Sequence, residues 1–457
     1  MIGILDFRHR RVASGSFGNP NLLSGYMVIA LPVITGLLLA NVNKVRKFLY
    51  ITSIITILFV LYLCKSRGAW LALAGGALTF LILLTMNNKR RLIMLVLSML
   101  FAGTIIFSLF LVPLTEELLL DVRPFIWRGT VKMIKAHPVI GVGYGTYLIN
   151  YPDYRSKEYF FYSHTLGKER GWQAQDVTDH AHSEYLEIAS ETGLIGLTAF
   201  FSIIVIFFVL IIKALKDVKG AKERFILIGL ASGVVSALID NTVNISMRFV
   251  SSSIFFWFSM AASLAIISKS PSPPPSPARG EGKTYINAGL VIVIFLLGLI
   301  FYKTTCIDFR ASAYLMKGVK SRTSGEWQAA INHYKKAVSI DPYLLTAHYR
   351  LAFAYNEVGD LDKAIETYKG IGQIAPHYAK TEANIGKVYM KKGMLNEALL
   401  YFEKAENLNP YDIDLLCNIG SLYMRLGDLS NAKCYVRRAL TIEPGNEYAS
   451  SVMKELK

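Results

Sequence analysis

The sequence of 457 residues predicts an all-α protein, in which a polytopic membrane domain of about eight transmembrane helices precedes an α-solenoid. Three observations predict this class. Hydrophobic residues make up 53% of the chain and charged residues only 18%, which is unusual for a soluble protein. Apolar stretches of roughly 17 to 25 residues, long enough to cross a bilayer, recur along the first two thirds of the chain. The last third shows a 34-residue period of Gly, Ala and Pro.

Eight stretches are predicted to span the membrane. Five of them are long and strongly apolar: Phe48–Cys64, Ala69–Met86, Leu92–Pro113, Leu194–Ile212 and Tyr285–Tyr302. Three others are interrupted by proline, short, or in need of flanking residues: Asn21–Ala40, Phe225–Ile239 and Ser253–Ile267. Because each stretch approaches the length of a transmembrane helix, a multi-pass arrangement is expected over residues 1–268, with the last span at residues 285–302.

Basic residues mark one side of the membrane. Residues 307–457 hold 20 Lys/Arg and 17 Asp/Glu, so most of the formal net charge of +16 belongs to the membrane part. The cations cluster in alternate loops: Lys44, Arg46 and Lys47; Lys89, Arg90 and Arg91; Lys213, Lys216, Lys219, Lys222 and Arg224. Cytoplasmic loops retain Lys and Arg, so this pattern indicates topology and gives no sign of nucleic-acid binding. It places the loop 114–192 and the residues after 302 outside, and the Pro/Ser-rich linker 269–284 inside.

Three residue types recur every 34 positions in the last third of the chain. They are Pro342, Pro376, Pro410 and Pro444; Gly325, Gly359, Gly393 and Gly427; and Ala330, Ala364, Ala398 and Ala432. The pattern resembles the tetratricopeptide repeat, in which small residues let paired helices approach and Pro ends the second helix. Within a repeat domain at 307–457 we expect four repeats over about Ala311–Asn446 and a capping helix at Glu447–Leu456. Such arrays bind peptides or proteins on a concave surface, so a protein partner is expected. The sequence does not decide whether Cys417 and Cys434 form a disulfide.

The segment "DHAHSEYLEIASETGLIGL", residues 179–197, concentrates titratable side chains before an apolar span. Asp179 can cap a helix from His180 to about Thr192, with Gly193 as its stop. In such a helix His180 and His182 point about 200° apart and share no metal unless the turn is extended. A single histidine acting as a base near neutral pH is favoured over a metal site. The structural alternative is a capped helix with interfacial polar residues.

The loop before this segment contains "DVRPFIWRGTVKMIKAHPVIGVGYGTY". Pro124 at the first helical position and Pro138 as a breaker predict a short helix between them. Arg123 precedes Trp127 by four residues and lies over the apolar stripe of this helix, so it is the expected buried arginine. The glycines of "GVGYGTY" are too weak a signal for a nucleotide site. They predict a tight turn, or backbone N–H groups held close to an anion.

Two other polar groups lie at predicted outer ends of spans. Arg67, in "SRGAW", stands where the charge bias disfavours cations, and its planar fork suits phosphate. Snorkelling of this side chain to lipid headgroups explains it equally well. Asp240, Asn241 and Arg248 form a weaker polar set, whose simplest role is to satisfy helix ends.

Four motifs occur in order on the predicted outer side: "SGSFGNPNLLSGY", "SRGAW", the loop helix with "GVGYGTY", and "HAHSEYLEIASETGLIGL". Over about residues 13–268 they resemble the O-antigen ligase and polymerase superfamily of membrane glycosyltransferases. The resemblance implies a donor glycan on undecaprenyl pyrophosphate and an acceptor hydroxyl at the outer face of the cytoplasmic membrane. The resemblance also implies that this transfer requires neither a cofactor nor a metal ion. It also implies further spans upstream, so we expect an N-terminal truncation, which would explain why Arg8, Arg10 and Arg11 fall outside.

The resemblance assigns roles to individual residues. His182 is the expected catalytic base, because an acceptor hydroxyl is a weak nucleophile, and Arg67 and Arg123 are expected to bind the pyrophosphate leaving group. The expected supporting residues are Asn19, Asn21, Trp127, His180 and Glu191. A ligase is the leading hypothesis, and a polymerase of lipid-linked repeat units or a protein O-oligosaccharyltransferase differs from it only in the acceptor. A non-catalytic membrane scaffold that displays the repeats is the alternative of another class.

Overall fold

The described part of the chain is helical. A computed structural model covers residues 19–40, 43–86, 122–156, 158–159, 178–218, 220–269, 310–378 and 380–456, and none of these residues forms a strand. The predicted all-α class is therefore confirmed. The chain divides into two compact units, the first built from residues 1–147 and 179–275 and the second from residues 148–178 and 276–457.

The first unit is the membrane unit. Its longer described helices are α1 (Pro20–Leu39), α2 (Lys44–Cys64), α3 (Arg67–Thr85), α4 (Arg123–Ala136), α5 (Glu184–Asp217), α6 (Ala221–Asp240) and α7 (Val250–Lys269). Five of them, α1, α2, α3, α5 and α7, are long and apolar enough to cross a membrane. Helix α6 covers a sixth predicted span. The predicted spans at 92–113 and 285–302 and the linker that follows residue 269 lie outside the described residues.

Helix α6 packs against α1, α3 and α7. Small residues line its contact with α1: a Cβ atom added to Gly229 would lie 2.7 Å from the carbonyl oxygen of Pro32 and 3.1 Å from the Cα atom of Gly36. The two backbones therefore touch, as small residues allow in membrane helix bundles. The contact fixes the end of α6 near the start of α1, which matters for the polar groups described below.

Helix α5 is broken at Gly193, whose backbone angles are φ 64° and ψ −163°. Glycine adopts this conformation without the steric cost that a Cβ would bring. The break leaves two backbone N–H groups for new partners, since Leu194 donates to the carbonyl of Pro138 (2.9 Å) and Ile195 to that of Val139 (3.3 Å). The predicted stop at Gly193 is thus present as a kink between the helical segment 184–192 and the apolar span.

The predicted start of this helix was wrong. Helix α5 begins at Glu184 with Ser183 as its N-cap residue, and residues 179–183 are not helical. Asp179 is therefore not the capping residue of this helix. The physical reason is that side chains of other segments form hydrogen bonds with the backbone of this stretch. In addition, His182 has a positive φ, and a right-handed helix cannot continue through a residue in that conformation.

The second unit holds the repeats. Its longer described helices are α8 (310–323), α9 (Trp327–Ile340), α10 (Leu345–Glu357), α11 (Leu361–Ile374), α12 (Thr381–Lys391), α13 (Leu395–Leu408), α14 (Ile413–Arg425), α15 (Leu429–Ile442) and α16 (Glu447–Glu455). The glycines of the 34-residue period lie in the turn inside each pair, with φ between 79° and 84°. Tyr334, Tyr368 and Phe402 from the second helices are fully buried.

Cys417 and Cys434 are free thiols, so the disulfide between them is not formed.

Candidate functional site

Residues 179–183, here called the histidine loop, contain one of the two described non-glycine residues with positive φ; the other, Lys65, is the C-cap residue of α2. His182 has φ 52°, in the left-handed region. Residues with a Cβ rarely adopt this conformation, and strain of this kind gathers at functional sites because surrounding contacts must maintain it. The side chain of His182 is half-buried.

Two side chains hold the histidine loop from opposite sides. The indole N–H of Trp127, on α4, donates to the carbonyl oxygen of Ala181 (2.9 Å). The carboxylate of Glu187, on α5, accepts from the N–H of Ala181 (2.8 Å) and pairs with Nδ1 of His180 (2.7 Å). The residue directly before His182 is therefore fixed at both its backbone donor and its backbone acceptor.

The ion pair with Glu187 changes the acid–base behaviour of His180. Burial opposes the charged imidazolium, yet the hydrogen bond and the negative charge of Glu187 outweigh burial and raise the pKa of His180 above its ordinary value. Burial raises the pKa of the neighbouring Asp179 as well. His180 is therefore committed to an ion pair with Glu187 of α5.

A buried charge cluster lies behind the loop. The guanidinium of Arg248 is 3.3 Å from Glu184 (Nε to Oε1), 3.2 Å from Glu187 (Nε to Oε1) and 2.9 Å from Glu191 (Nη1 to Oε2). The carboxylates are 1–8% exposed and the arginine is 13% exposed. Arg248 also lies over the ring of Tyr144, 5.8 Å from its centroid. Arg248 therefore pairs with all three glutamates that form the acidic face of α5.

The glycine-rich "GVGYGTY" segment pairs with the break in α5. Val142 N–H donates to the carbonyl of Ser190 (3.0 Å) and Gly143 N–H to that of Glu191 (2.9 Å). The approach is so close that a Cβ on Gly141 would lie 2.3 Å from the carbonyl carbon of Glu191. These two N–H groups are therefore taken by protein carbonyls, which favours the tight turn over the anion cradle. The Glu191 carboxylate also accepts from the N–H of Tyr147 (3.1 Å).

A second buried carboxylate, Asp240, lies at the end of α6. Its Oδ1 accepts a hydrogen bond from Asn244 (2.8 Å) and its Oδ2 accepts one from Ser246 (2.9 Å). The positive charge of Arg123 acts on this carboxylate. Arg123 is half-buried at the start of α4, whereas the three other cations of that helix are exposed.

Glycines of the first two motifs, Gly25 and Gly68, lie close to the same carboxylate. Arg67 is the exposed first residue of α3. A Cβ on the next residue, Gly68, would lie 2.9 Å from Nδ2 of Asn244 and 3.7 Å from Oδ1 of Asp240. A Cβ on Gly25, in α1, would lie 2.9 Å from Oδ2 of Asp240. The starts of α1 and α3 therefore meet at the end of α6.

The remaining predicted residues have local roles in this arrangement. Asn19 caps α1 by accepting a hydrogen bond from the N–H of Asn21 (2.8 Å). Asn241 connects the two carboxylate clusters, because its carbonyl accepts from the N–H of Glu184 (3.0 Å). Among the described residues, no group of three or more His, Cys, Asp or Glu side chains is placed to hold a metal ion.

The structure thus brings most of the predicted residues into one region of the membrane unit. His180, His182, Trp127 and Glu191 share the assembly around Arg248. The roles of Glu187 and Arg248 were not predicted from the sequence. A signal was present, since three glutamates at 3,4 spacing form a face that needs a cation once it is buried, and Arg248 is the arginine of the next predicted outer turn.

Comparisons with known proteins cover both parts of the chain. Residues 52–201 match the family model described as O-antigen ligase, and residues 322–385, 386–427 and 413–446 match models of the tetratricopeptide repeat. The exopolysaccharide production protein ExoQ of Rhizobium meliloti (strain 1021) is 26% identical over 183 residues. That alignment covers 40% of this chain and 38% of ExoQ, so the chain spans well under half of this relative.

Solved structures similar to this chain include the MamA protein (24% identity, 32% of this chain and 80% of that one, TM-score 0.30). Others are Pseudomonas aeruginosa pilF (22%, 33% and 68%, TM-score 0.31) and a thermophilic TPR protein of Thermus thermophilus (25%, 32% and 80%, TM-score 0.29). The matches to the family models agree with the motifs and the 34-residue period. The chain therefore carries an O-antigen ligase domain, with the family match at residues 52–201, and C-terminal tetratricopeptide repeats.

Proposed function

We propose that this protein is a membrane glycosyltransferase that moves a glycan from undecaprenyl pyrophosphate to an acceptor hydroxyl at the outer face of the cytoplasmic membrane. The O-antigen ligase match implies a glycosyltransferase-type role, and the donor, acceptor and carrier are our proposal. The observation that carries it is the strained His182, fixed through Ala181 by Trp127 and Glu187 in the unit where the charge of Arg123 acts on Asp240. Gly68, the residue after Arg67, lies against the same carboxylate.

In the proposed reaction His182 takes the proton of the acceptor hydroxyl as its oxygen attacks the anomeric carbon of the donor sugar. The bond between that carbon and the pyrophosphate oxygen breaks, and the leaving group keeps the electron pair. Arg67 and Arg123 hold the resulting negative charge, since a guanidinium fork matches phosphate oxygens and charge stabilisation lowers the barrier. Asp240 orients Arg123 between transfers. We expect no cofactor and no metal requirement, so transfer should persist in EDTA.

The decisive variant is His182→Ala. Loss of a positioned base costs typically 10²- to 10⁴-fold in rate, so glycan transfer in membranes supplied with lipid-linked donor is expected to fall by about that factor. His333→Ala in the repeats is the matched control and is expected to transfer at the rate of the unmodified protein. Full transfer by His182→Ala, at equal amounts of folded protein, contradicts the assignment of the base.

Polymerisation of lipid-linked repeat units is the second candidate. The name of ExoQ refers to exopolysaccharide production, which fits an acceptor hydroxyl on another glycan. Glycan chains from a deletion strain separate the two functions. Full-length lipid-linked polymer that is not attached indicates a ligase, whereas single repeat units indicate a polymerase, and an unglycosylated protein acceptor indicates a protein O-oligosaccharyltransferase.

We further propose that the repeats bind a protein partner or an acceptor on the outer side of the membrane. Tetratricopeptide arrays supply extended concave surfaces for such contacts. Removal of residues 307–457 is expected to abolish transfer to one acceptor while hydrolysis or transfer to small acceptors persists. Unchanged transfer to every acceptor would exclude a recruiting role.

A further inference from the structure

A groove on the repeats combines two arginines with aromatic side chains. Its lining residues are Arg322, Thr346, Tyr349, Arg350, Phe353 and Asn384, here called the repeat groove. They come from α8, α10 and α12, the first helices of three successive repeats. The cavity volume is about 310 Å³, at the small end of the range of ligand sites, roughly 300–1,000 Å³.

The two arginines of the repeat groove converge. Both guanidinium groups lie beside the hydroxyl of the fully buried Tyr334. The Nε atoms of Arg322 and Arg350 are buried, and among the described residues neither has a hydrogen-bond partner. None of the described residues that line the groove is a carboxylate. The two guanidinium groups therefore share the hydroxyl of Tyr334 as a partner, while their buried Nε donors stay unsatisfied, an arrangement that a bound anion would stabilise.

The geometry selects the class of anion. A guanidinium is a planar fork that pairs with a carboxylate through two parallel hydrogen bonds, and two such forks at one point suit a single compact anionic group. The wall beside them is aromatic. Tyr349 packs edge-on against Tyr368 and Tyr378, with ring centroids 5.6 and 6.3 Å apart, and its hydroxyl accepts from Asn384 (2.6 Å).

We propose that the repeat groove binds an acidic peptide segment of a partner protein, with one carboxylate between Arg322 and Arg350 and a neighbouring apolar side chain against Phe353. An anionic polysaccharide would instead need a row of cations at sugar spacing and open ring faces for stacking. Here the cations converge, and Tyr349 and Phe353 already pack against neighbouring rings. This inference rests on the proposed partner-binding role of the repeats and is independent of the transfer chemistry.

The test uses the full chain in detergent micelles and a fluorescein-labelled octapeptide of alternating Glu and Leu with an amidated carboxyl end, so that the Glu side chains are its carboxylates. Binding is followed by anisotropy. Arg322→Met and Arg350→Met are each expected to weaken binding at least about tenfold, the loss typical of one charge-assisted hydrogen bond. The matched control is Arg437→Met, an exposed arginine of α15 outside the groove, which removes the same charge and is expected to leave the affinity within about twofold. Arg350→Lys keeps the charge but loses the fork, so it tests the geometry should Arg350→Met fail to fold.

Four results overturn the proposal. Equal binding of the same peptide with Gln in place of Glu would leave a peptide-binding role for the repeats but remove the acidic class. Absence of binding by the Glu–Leu peptide, or binding that Arg322→Met and Arg350→Lys leave unchanged, would remove the groove. An oligouronate that displaces the peptide and loses affinity in the same variants would identify a glycan as the ligand. Glycan transfer is measured separately, so a failure of the proposed transferase activity stays distinct from a failure of peptide binding.

Discussion

His182 owes its position to residues that the local sequence does not reveal. Its backbone is strained, and the strain is maintained because Ala181 is fixed by Trp127 on one side and Glu187 on the other. Glu187 in turn remains a buried carboxylate because Arg248 lies 3.2 Å away. The histidine loop therefore depends on a chain of contacts that runs from α4 through α5 to the turn after α6.

The ion pair of His180 predicts a pH dependence of stability. The pKa of His180 is raised in the folded protein, so the pair with Glu187 stabilises the fold fully below the ordinary value near 6.5, and this contribution is lost as the pH rises through the raised pKa. The melting temperature of the unmodified protein should therefore exceed that of His180→Asn by more at about pH 5.5 than at about pH 9. A difference that is constant or grows with pH contradicts the assigned pair.

Arg248 is predicted to be essential for folding rather than for chemistry alone. Arg248→Met leaves the carboxylates of Glu184, Glu187 and Glu191 buried without their cation, and breaking a buried pair typically costs about 3–5 kcal/mol. We expect a lower melting temperature and poor recovery from membranes, partly restored when Glu184→Gln is added. Lys132→Met, which removes an exposed cation of α4, is the control. A stable Arg248→Met protein would refute the role of the cluster.

At the scale of helices, hydrophobic length and small-residue spacing predicted which segments are helical, because both signals are local. The starts and breaks were harder. Gly193 was predicted as a stop, since glycine tolerates positive φ, and the structure keeps it as a kink. The start at Glu184 was missed because residues 179–183 are held by Glu187 together with Trp127, which is 54 positions from Ala181. Contacts over such separations leave no pattern in a single sequence.

The kink at Gly193 gives a prediction for α5. In Gly193→Ala the new Cβ would lie 2.2 Å from the carbonyl oxygen of Val139, and the left-handed backbone adds strain of about 1–3 kcal/mol. We expect loss of melting temperature and of glycan transfer together, because the outer segment of α5 carries the glutamates that hold the histidine loop. Gly370→Ala, where a Cβ meets no atom within 4 Å, is expected to be neutral or slightly stabilising. Equal effects of the two substitutions would contradict this account.

At the scale of the whole chain, the sequence predicts two parts by independent signals. The spans follow from composition, and the repeats follow from a period of 34, which both the helix pairs and the family matches bear out. The contents of the site were less predictable. Arg67, Arg123 and His182 came from motifs, whereas the cation at the centre of the acidic cluster became evident only from the fold.

The side of the membrane occupied by the repeats can be tested with a thiol. Cys434 is exposed, whereas Cys64 and Cys417 are buried. The charge bias of the loops predicts that Cys434 lies outside, so a membrane-impermeant maleimide should label it in intact spheroplasts. The label is expected to decrease in Cys434→Ser. Labelling of Cys434 that requires permeabilised membranes would place the repeats in the cytoplasm.

The shared arginine of the acidic cluster also restricts the order in which this site can change during divergence. Loss of Glu184 brings the cluster closer to neutrality and keeps the contacts of Glu187 with Ala181 and of Glu191 with Tyr147, so it is expected to be tolerated. Loss of Arg248 first leaves an excess of buried negative charge that few backgrounds tolerate. In proteins that diverge from this chain, substitution of the glutamates should therefore precede substitution of Arg248. A lineage that lacks the arginine should also have lost most of the glutamates.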